Sequence, residues 1–227
     1  IFTVKEVKVT DKQVPPPMLY DLTELQKDAN KKYRFSPKET LNIMQRLYEN
    51  HKVLTYPRTD SRYLTDDIVP TLPERLKAVA FGEFTAQVRR IFREGNVIEK
   101  SCINNAKVSD HHAIIPTEEK PNLLKMSEEE KKIYFMVVQR FLAVYYPKYH
   151  YQTVSVRLDW KGELFKASGK RELEKGWRAV YDGEEEEEEF QNLPEIQKGD
   201  TFVCKNTLVK ADKTKAPSRY TEASLLA

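Results

Sequence analysis

One tyrosine lies in a run whose residue types and spacing suit chemistry at a phosphate, the octapeptide Leu-Thr-Tyr-Pro-Arg-Thr-Asp-Ser at residues 54–61. Pro57 disfavours helical geometry for the residue before it, so Tyr56 is expected to be extended. Side chains two positions apart in an extended segment point to the same side, which groups Tyr56 with Arg58 and Asp60. The opposite side is expected to carry Thr55, Pro57 and Thr59.

A phenol beside a guanidinium can act as a nucleophile toward phosphorus. A free tyrosine has a pKa of about 10, so its hydroxyl needs assistance near neutral pH. Arg58 can hold two phosphate oxygens with its planar fork and can stabilise the charge that develops during attack. An ordinary core tyrosine remains the alternative interpretation of Tyr56, because tyrosines are often partly buried.

The only adjacent histidines form the second candidate group, Asp110-His111-His112, which holds two of the four histidines in the chain. A carboxylate and imidazoles could bind divalent metals, as in metal-dependent phosphoesterases. A histidine could instead bind phosphate or shuttle a proton beside a tyrosine nucleophile. Surface or structural histidines are the third interpretation. The sequence lacks the further acidic motifs that a phosphoesterase metal site needs, which favours the second.

The charge distribution favours a polyanionic partner near Tyr56. The net charge is only +3, but without the six glutamates of residues 184–189 it would be +9. Between Asn30 and Tyr63, eight lysines and arginines face three acidic residues, a local charge of +5. Such an excess is expected where a phosphate backbone binds, although a solvated helix face would also explain it.

Composition excludes several classes of protein. The chain is 32% charged, and no apolar run approaches the roughly eighteen residues that span a bilayer, so we expect a soluble protein. Cys102 and Cys204 lack the spacing of a zinc site or a disulfide framework, which fits a reducing cytoplasm. Because the chain begins at Ile1 and stops at Ala227 within a predicted helix, we expect a piece of a longer polypeptide.

The middle of the chain is predicted to be mainly helical. Asp21–Lys31 is predicted to be a short helix, and Ser36-Pro37-Lys38-Glu39 is a capping box that starts a second one ending near Asn50. The second helix carries Leu41, Met44 and Leu47 at helical spacing. A third helix is predicted to start at Thr65 and to be interrupted near Pro70 and Pro73. A fourth is predicted over Glu83–Arg93, with its inward residues being Phe84, Val88, Ile91 and Phe92. A fifth is predicted from Ser127 to about Tyr146, with a buried stripe of Ile133, Val137, Phe141 and Val144.

Segments with a period of two flank the helical part. Residues 1–12 are a predicted strand that ends before the extended prolines 15–17. Further predicted strands are residues 149–160, Leu164–Ser168 after a Lys161-Gly162 turn, and Thr201–Val209. The glutamate run 184–189 is predicted to be a solvated loop. The fold class is therefore α+β.

With its surroundings, the octapeptide resembles the active-site signature of type IA DNA topoisomerases, in particular the topoisomerase III branch. The resemblance continues, in the family's order, through Asp21–Gln26, Arg46–Glu49, Asp110–Thr117 and Arg219–Leu225. It implies a helical domain, residues 20–147, that carries the nucleophile and is inserted into an antiparallel β gate domain, residues 1–19 and 148–218. Residues 219–227 would begin the return to the rest of the enzyme.

The resemblance also implies an activity. Tyr56 would attack a phosphate of single-stranded DNA, forming a 5′-phosphotyrosine and freeing a 3′-hydroxyl that later reverses the transfer without ATP. Arg58 would clamp the phosphate, and His111 would lie near it. This isomerase would relax or decatenate DNA while the helical domain swings as a gate. A noncatalytic single-stranded DNA-binding module, with Tyr56 stacking on a base, is the main alternative, and a metal-dependent phosphoesterase is a weaker one.

Further roles follow from the same resemblance. The implied DNA contacts are Arg58, Asp60, Ser61, His112, Thr117 and Arg219. Arg219 follows Ala216 and Ser218 where the family is proline-rich, so a structural ion pair is an equal alternative for it. The implied cofactor is Mg²⁺, bound in the full-length enzyme by a Toprim domain without a counterpart here. We therefore expect this chain to bind no metal and to be inactive alone. Its expected partners are single-stranded DNA and the remaining domains, with a helicase as a possible further partner and no membrane. The expected location is cytoplasmic and nucleoid-associated.

Overall fold

The computed structural model describes residues 1–181 and 194–226, which form two compact units. One unit, the β unit, comprises Ile1–Pro15 and Lys148–Ser218. The other, the helical unit, comprises Pro16–Pro147 and Arg219–Ala227. Together they make an α+β protein. In the described parts of the chain, no helix combines the length and apolarity needed to cross a bilayer.

The unit boundaries differ slightly from the predicted ones. Residues 16–19 group with the helices rather than with the sheet, because Leu19 is fully buried and the Met18 carbonyl accepts a hydrogen bond from Arg140 at 3.0 Å. Residues 219–227 also belong to the helical unit. There the Ala223 amide donates to the buried Asn30 side chain at 3.2 Å. The predicted loop at residues 184–189 lies outside the described residues.

The β unit is built on one antiparallel sheet. Its strands are β1 (Phe2–Val14), β2 (Tyr149–Trp160), β3 (Glu163–Glu174) and β4 (Thr201–Phe202), in the order β3-β2-β1-β4. The period of two in the sequence gives the sheet one mainly apolar face, on which Val4 and Val156 are almost completely buried.

Two strands differ in length from their predictions. β3 continues six residues beyond Ser168, to Glu174, because it stays paired with β2 as far as His150, with one irregularity at Leu173. β4 ends at Phe202 instead of Val209. Its partner at Phe202 is Phe2, the first residue of β1, so the following residues run past the end of that strand.

The helical unit contains α1 (Leu22–Tyr33), α2 (Pro37–Glu49), α3 (Leu72–Ala78), α4 (Phe84–Glu94), α5 (Glu128–Ala143) and α6 (Glu222–Leu225). The predicted capping box starts α2: Ser36 accepts from the Glu39 amide, and the Glu39 carboxylate accepts from the Ser36 amide at 2.8 Å. Ser127 and Glu130 cap α5 in the same way. The apolar stripe predicted for α5 is confirmed, since Ile133, Val137, Phe141 and Val144 are all buried.

Two helix predictions are wrong in detail. No α-helix opens at Thr65, because Pro70 lacks an amide hydrogen and disfavours helical geometry before it; a turn and a short 3₁₀ segment, Val69–Thr71, precede α3 instead. Phe92 was predicted to face inward but is 46% exposed. It lies about 80° around the helix from Phe84, at the edge of the buried stripe.

Candidate active site

Hydrogen bonds between two segments hold the octapeptide in place. The Thr55 amide donates to the Ile115 carbonyl at 3.0 Å, and the Thr117 amide donates to the Val53 carbonyl at 3.0 Å. Leu54 and Pro116 pair as an antiparallel bridge between them. The chain following α2 is therefore extended against residues 113–117, the block that follows the two histidines.

The alternation predicted for the octapeptide is confirmed by its burial from Pro57 onward, whereas Thr55 and Tyr56 are both half-buried. Pro57 and Thr59 are buried, whereas Arg58 and Asp60 are exposed and Tyr56 is half-buried. The extended backbone therefore divides this segment into a side that faces the core and a side that faces solvent.

The threonines on the core side bind the histidine-bearing segment. The Thr59 hydroxyl donates to the His111 carbonyl at 2.8 Å. The Thr55 hydroxyl donates to the Ala113 carbonyl at 3.3 Å and accepts from the Ile115 amide at 3.0 Å. These bonds fix the register between the tyrosine and the histidine.

Ser61, a predicted DNA contact, lies on the core side of the segment. It is only 4% exposed, and its hydroxyl donates to the Lys107 carbonyl at 2.8 Å. The same oxygen accepts from the Tyr63 amide at 3.2 Å. In this conformation the hydroxyl of Ser61 belongs to the scaffold, and a phosphate cannot reach it.

The ring of Tyr56 lies between two other rings. The His111 imidazole packs against it with centroids 4.2 Å apart and an interplanar angle of 37°. Tyr48, near the end of α2, meets it edge-on, with centroids 5.5 Å apart and an angle of 83°. The sequence interpretation gave Tyr48 no role, although it stands in the Arg46–Glu49 block.

A cleft of about 410 Å³ lies beside His111. Arg58, Asp60 and His111 line it, together with Thr23 at the start of α1 and Ser109. Of the three predicted catalytic residues, Arg58 and His111 line the cleft, and Tyr56 is connected to it through the contact between its ring and that of His111. One guanidinium, that of Arg58, and two carboxylates, those of Asp60 and Asp110, line this cleft, so Arg58 supplies a local positive charge beside two negative ones.

His112 is held differently from His111. It is half-buried, and its Nδ1 lies 2.7 Å from the Ala113 carbonyl oxygen, so Nδ1 carries the proton that is donated. Burial lowers the pKa of His112, the nearby charge of Arg75 lowers it further, and the hydrogen bond to Ala113 opposes the shift. His112 is therefore neutral at neutral pH.

Two further predicted DNA contacts lie apart from the residues that line the cleft. The Thr117 hydroxyl donates to the Lys52 carbonyl at 2.6 Å, at a residue whose φ of 57° turns the chain out of α2. Arg219 is exposed at the start of the segment that returns to the helical unit. Their contacts with DNA, like those of Arg58, Asp60 and His112, remain predictions.

A buried arginine that the sequence interpretation did not identify supports the histidine segment from behind. Arg75 in α3 donates to the Pro116 carbonyl at 2.9 Å and to the Thr71 hydroxyl at 2.8 Å. It also forms an ion pair with Glu118 at 2.9 Å. Its helix carried no sequence signal for this role, because the pairing depends on tertiary packing.

The described residues offer no site for a metal ion. Nowhere in residues 1–181 or 194–226 do three or more histidine, cysteine, aspartate or glutamate side chains come together as a possible ligand set.

Comparisons with known proteins identify the family to which the chain belongs. A family model described as DNA topoisomerase matches residues 1–227. The chain is 50% identical over 230 residues to DNA topoisomerase 3 of Bacillus cereus, which covers 99% of this chain and 32% of that protein. It is 47% identical over 228 residues to DNA topoisomerase 3 of Bacillus subtilis, with 98% and 31% covered.

A solved structure is also similar. Full-length topoisomerase I from Thermotoga maritima matches with a TM-score of 0.63 and 26% identity, over 88% of this chain and 32% of that one. The chain thus spans about a third of the length of the proteins that it matches. With a family model matched over its whole length and relatives named topoisomerase 3 at half identity, the chain belongs to the type IA DNA topoisomerase family, on the topoisomerase III side.

Proposed function

We propose that this chain supplies the nucleophile of an ATP-independent topoisomerase III-like enzyme that cuts and rejoins single-stranded DNA. The observation that carries the proposal is that Arg58 and His111 line one cleft and that the His111 ring packs against the ring of Tyr56. A tyrosine that served only the core would not need an exposed guanidinium and an exposed imidazole beside it. The family membership of the chain supports the same chemistry.

In the proposed reaction the Tyr56 hydroxyl oxygen attacks phosphorus and loses its proton. A bond forms between that oxygen and phosphorus, and the bond from phosphorus to the 3′ oxygen breaks. The 3′ oxygen takes up a proton and leaves as a hydroxyl, and the DNA remains attached through a 5′-phosphotyrosine. The reverse transfer rejoins the strand, so the energy of the broken ester is conserved and no ATP is needed.

Arg58 and His111 would act on the phosphate in this step. The Arg58 guanidinium can hold two oxygens of the phosphate and balance the charge that builds up during attack. His111 contacts the ring of the nucleophile and lines the cleft, which suits an imidazole that stabilises or protonates groups around phosphorus. The ring contacts with His111 and Tyr48 restrict how the Tyr56 side chain can move before attack.

The proposal assigns the metal to another part of the polypeptide. Among residues 1–181 and 194–226, no three histidine, cysteine, aspartate or glutamate side chains come together as possible metal ligands. We propose that the longer polypeptide contributes a Toprim domain that binds Mg²⁺, and that this chain alone does not relax supercoiled DNA. Single-stranded DNA and those remaining domains would be its partners in the cytoplasm.

Adding the remaining domains to this chain tests the proposal. Mixed with a radiolabelled single strand and Mg²⁺, the assembled enzyme should yield a DNA–protein adduct that survives denaturation and disappears on protease treatment. Tyr56→Phe, which retains the ring and its contacts, should abolish the adduct and leave noncovalent binding intact. An undiminished adduct in Tyr56→Phe would refute Tyr56 as the nucleophile.

The same experiment separates the alternatives. A noncatalytic DNA-binding module would bind the strand equally well with and without Tyr56→Phe and would never form an adduct. A phosphoesterase would release cleaved DNA in a metal-dependent reaction that Tyr56→Phe leaves unchanged. Each alternative therefore gives a pattern of products that differs from the one proposed.

A further inference from the structure

The register of the sheet places lysines in a regular pattern on one face of the β unit. β1 pairs with β2 so that Lys8 lies opposite Ser155, and β2 pairs with β3 so that Ser155 lies opposite Ser168. Directly opposed residues share a face of the sheet. We call this side the basic face and define it by Lys8, Lys12, Ser155, Lys166, Ser168 and Lys170.

Each successive row across the basic face contributes one lysine. Lys166 lies in the row of Arg157, Lys8 in the row of Ser155, Lys170 in the row of Thr153 and Lys12 in the row of Tyr151. Rows on one face are two residues apart, or about 7 Å. The lysines therefore alternate between the β3 and β1 edges of the sheet at a regular interval.

The acidic residues on this face lie toward its ends. Glu6 is engaged by Arg157 in an ion pair of 3.1 Å, and Glu172 shares the row of Tyr151. Between them, the rows of Ser155 and Thr153 carry hydroxyls and lysines without a carboxylate. The middle of the basic face is thus positive and rich in hydrogen-bond donors.

The opposite face of the sheet has a different character. Val7, Val154, Val156 and Ala167 lie there, and Val156 is completely buried. That apolar face contributes to the core of the β unit, whereas Lys8, Lys12, Lys166 and Ser168 are exposed. Lys8, Lys12 and Lys166 are therefore not part of that core, whereas Lys170 is half-buried and lies over the rings of Tyr149 and Tyr151.

We propose that the basic face binds the sugar–phosphate backbone of single-stranded DNA, as a second contact surface apart from the cleft at Tyr56. Successive lysines are about 7 Å further along the strands and two strands apart, so neighbouring positions are about 12 Å from each other. A regular series of flexible cations suits the repeated single charges of an extended strand. Hydroxyls between the cations can donate to phosphate oxygens. The inference rests on the proposed function only in that DNA is the partner.

Binding of oligothymidylate to the chain carrying Tyr56→Phe tests the inference without any chemistry at the cleft. Replacing Lys8, Lys12 and Lys166 by glutamine should weaken binding at least about tenfold at low salt, since three phosphate contacts are lost. The negative slope of log K against log salt concentration should become shallower by about 2, since each phosphate contact on a single strand contributes roughly 0.7. Circular dichroism checks that the sheet is retained.

A matched variant in the helical unit serves as the control. Replacing Lys100, Lys120 and Lys125 by glutamine makes the same change in net charge on exposed residues outside the sheet. It should change the affinity and the salt slope much less than the sheet variant does. Equal losses in the two variants would show an unspecific effect of net charge and would overturn the proposal.

Photocrosslinking provides a measurement that does not depend on any variant. A strand substituted with 5-iodouracil should crosslink to peptides of β1, β2 or β3 in addition to the cleft. Crosslinks confined to the helical unit would also overturn the proposal. Loss of the covalent adduct in the cleavage experiment would leave these binding results unaffected, so the two proposals fail separately.

Discussion

The two sides of the octapeptide at residues 54–61 differ in what they contribute. On the core side, the hydroxyls of Thr55, Thr59 and Ser61 form hydrogen bonds with the backbone of residues 107–115. On the solvent side, Arg58 and Asp60 are exposed and line the cleft. Along one backbone segment, residues that hold the fold together therefore alternate with residues that are free to contact a ligand.

The largest expected effect comes from the solvent side. Arg58→Lys should lower the rate of covalent attachment to DNA by about 100-fold, because one ammonium cannot reproduce two parallel hydrogen bonds to a phosphate. The free energy of unfolding should change by less than about 0.5 kcal/mol, since the side chain is exposed. Denaturant unfolding and the adduct assay measure the two quantities on one preparation. A loss of stability that matches the loss of rate would break the proposed division.

On the core side the opposite result is expected. Thr59→Val keeps the shape of the side chain but leaves the His111 carbonyl and the Ser61 amide without their partner, at a cost of about 1–3 kcal/mol of unfolding free energy. Asp60→Asn, at the exposed neighbouring position, is the control and should change stability by less than about 0.5 kcal/mol. Equal stability of the two variants in urea would contradict the assignment of the sides.

Tyr48 extends the comparison because it contacts Tyr56, the proposed nucleophile, from another element, α2. Tyr48→Ala removes an edge-on aromatic contact worth about 1 kcal/mol and should slow covalent attachment at saturating DNA several-fold, with unchanged affinity for the strand. Tyr48→Phe keeps the ring and should restore the rate. If the phenylalanine variant is as slow as the alanine variant, the ring contact is not what positions Tyr56.

The smallest effect concerns His112. Its pKa is lowered in the folded protein, mainly by burial, so the unfolded chain binds more protons below about pH 6.5. The contribution of His112 to the free energy of unfolding is therefore fully present at neutral pH and is lost as the solution becomes more acidic. His112→Asn should reduce the drop in melting temperature between pH 7.5 and 5.5. An unchanged or larger drop would contradict burial of a neutral imidazole.

Local sequence rules accounted for much of the fold around the site. The capping boxes at Ser36 and Ser127 are visible in the sequence because a cap involves residues three apart. The alternation of the octapeptide follows from Pro57 and the geometry of extended chain. That alternation also places Ser61 with Thr59 on the core side, so the sequence contained the reason against its assignment as a DNA contact.

The remaining features depend on contacts between distant residues. Arg75 reaches Pro116 across 41 positions, and no local pattern marks that pairing. Tyr48 meets Tyr56 across a connection in which Lys52 adopts a left-handed conformation, which its residue type does not favour. Family resemblance carried the roles of Tyr56, Arg58 and His111, which residue chemistry alone left open between several interpretations.

The most direct measurement is the identity of the residue that becomes attached to DNA. The assembled enzyme should be trapped with a single strand and digested, and the modified peptide should be sequenced by mass spectrometry. The account predicts a nucleotide linked through its 5′ phosphate to Tyr56, together with a free 3′-hydroxyl on the other DNA end. An adduct on a different residue, or cleavage that leaves no adduct under trapping conditions, would contradict it.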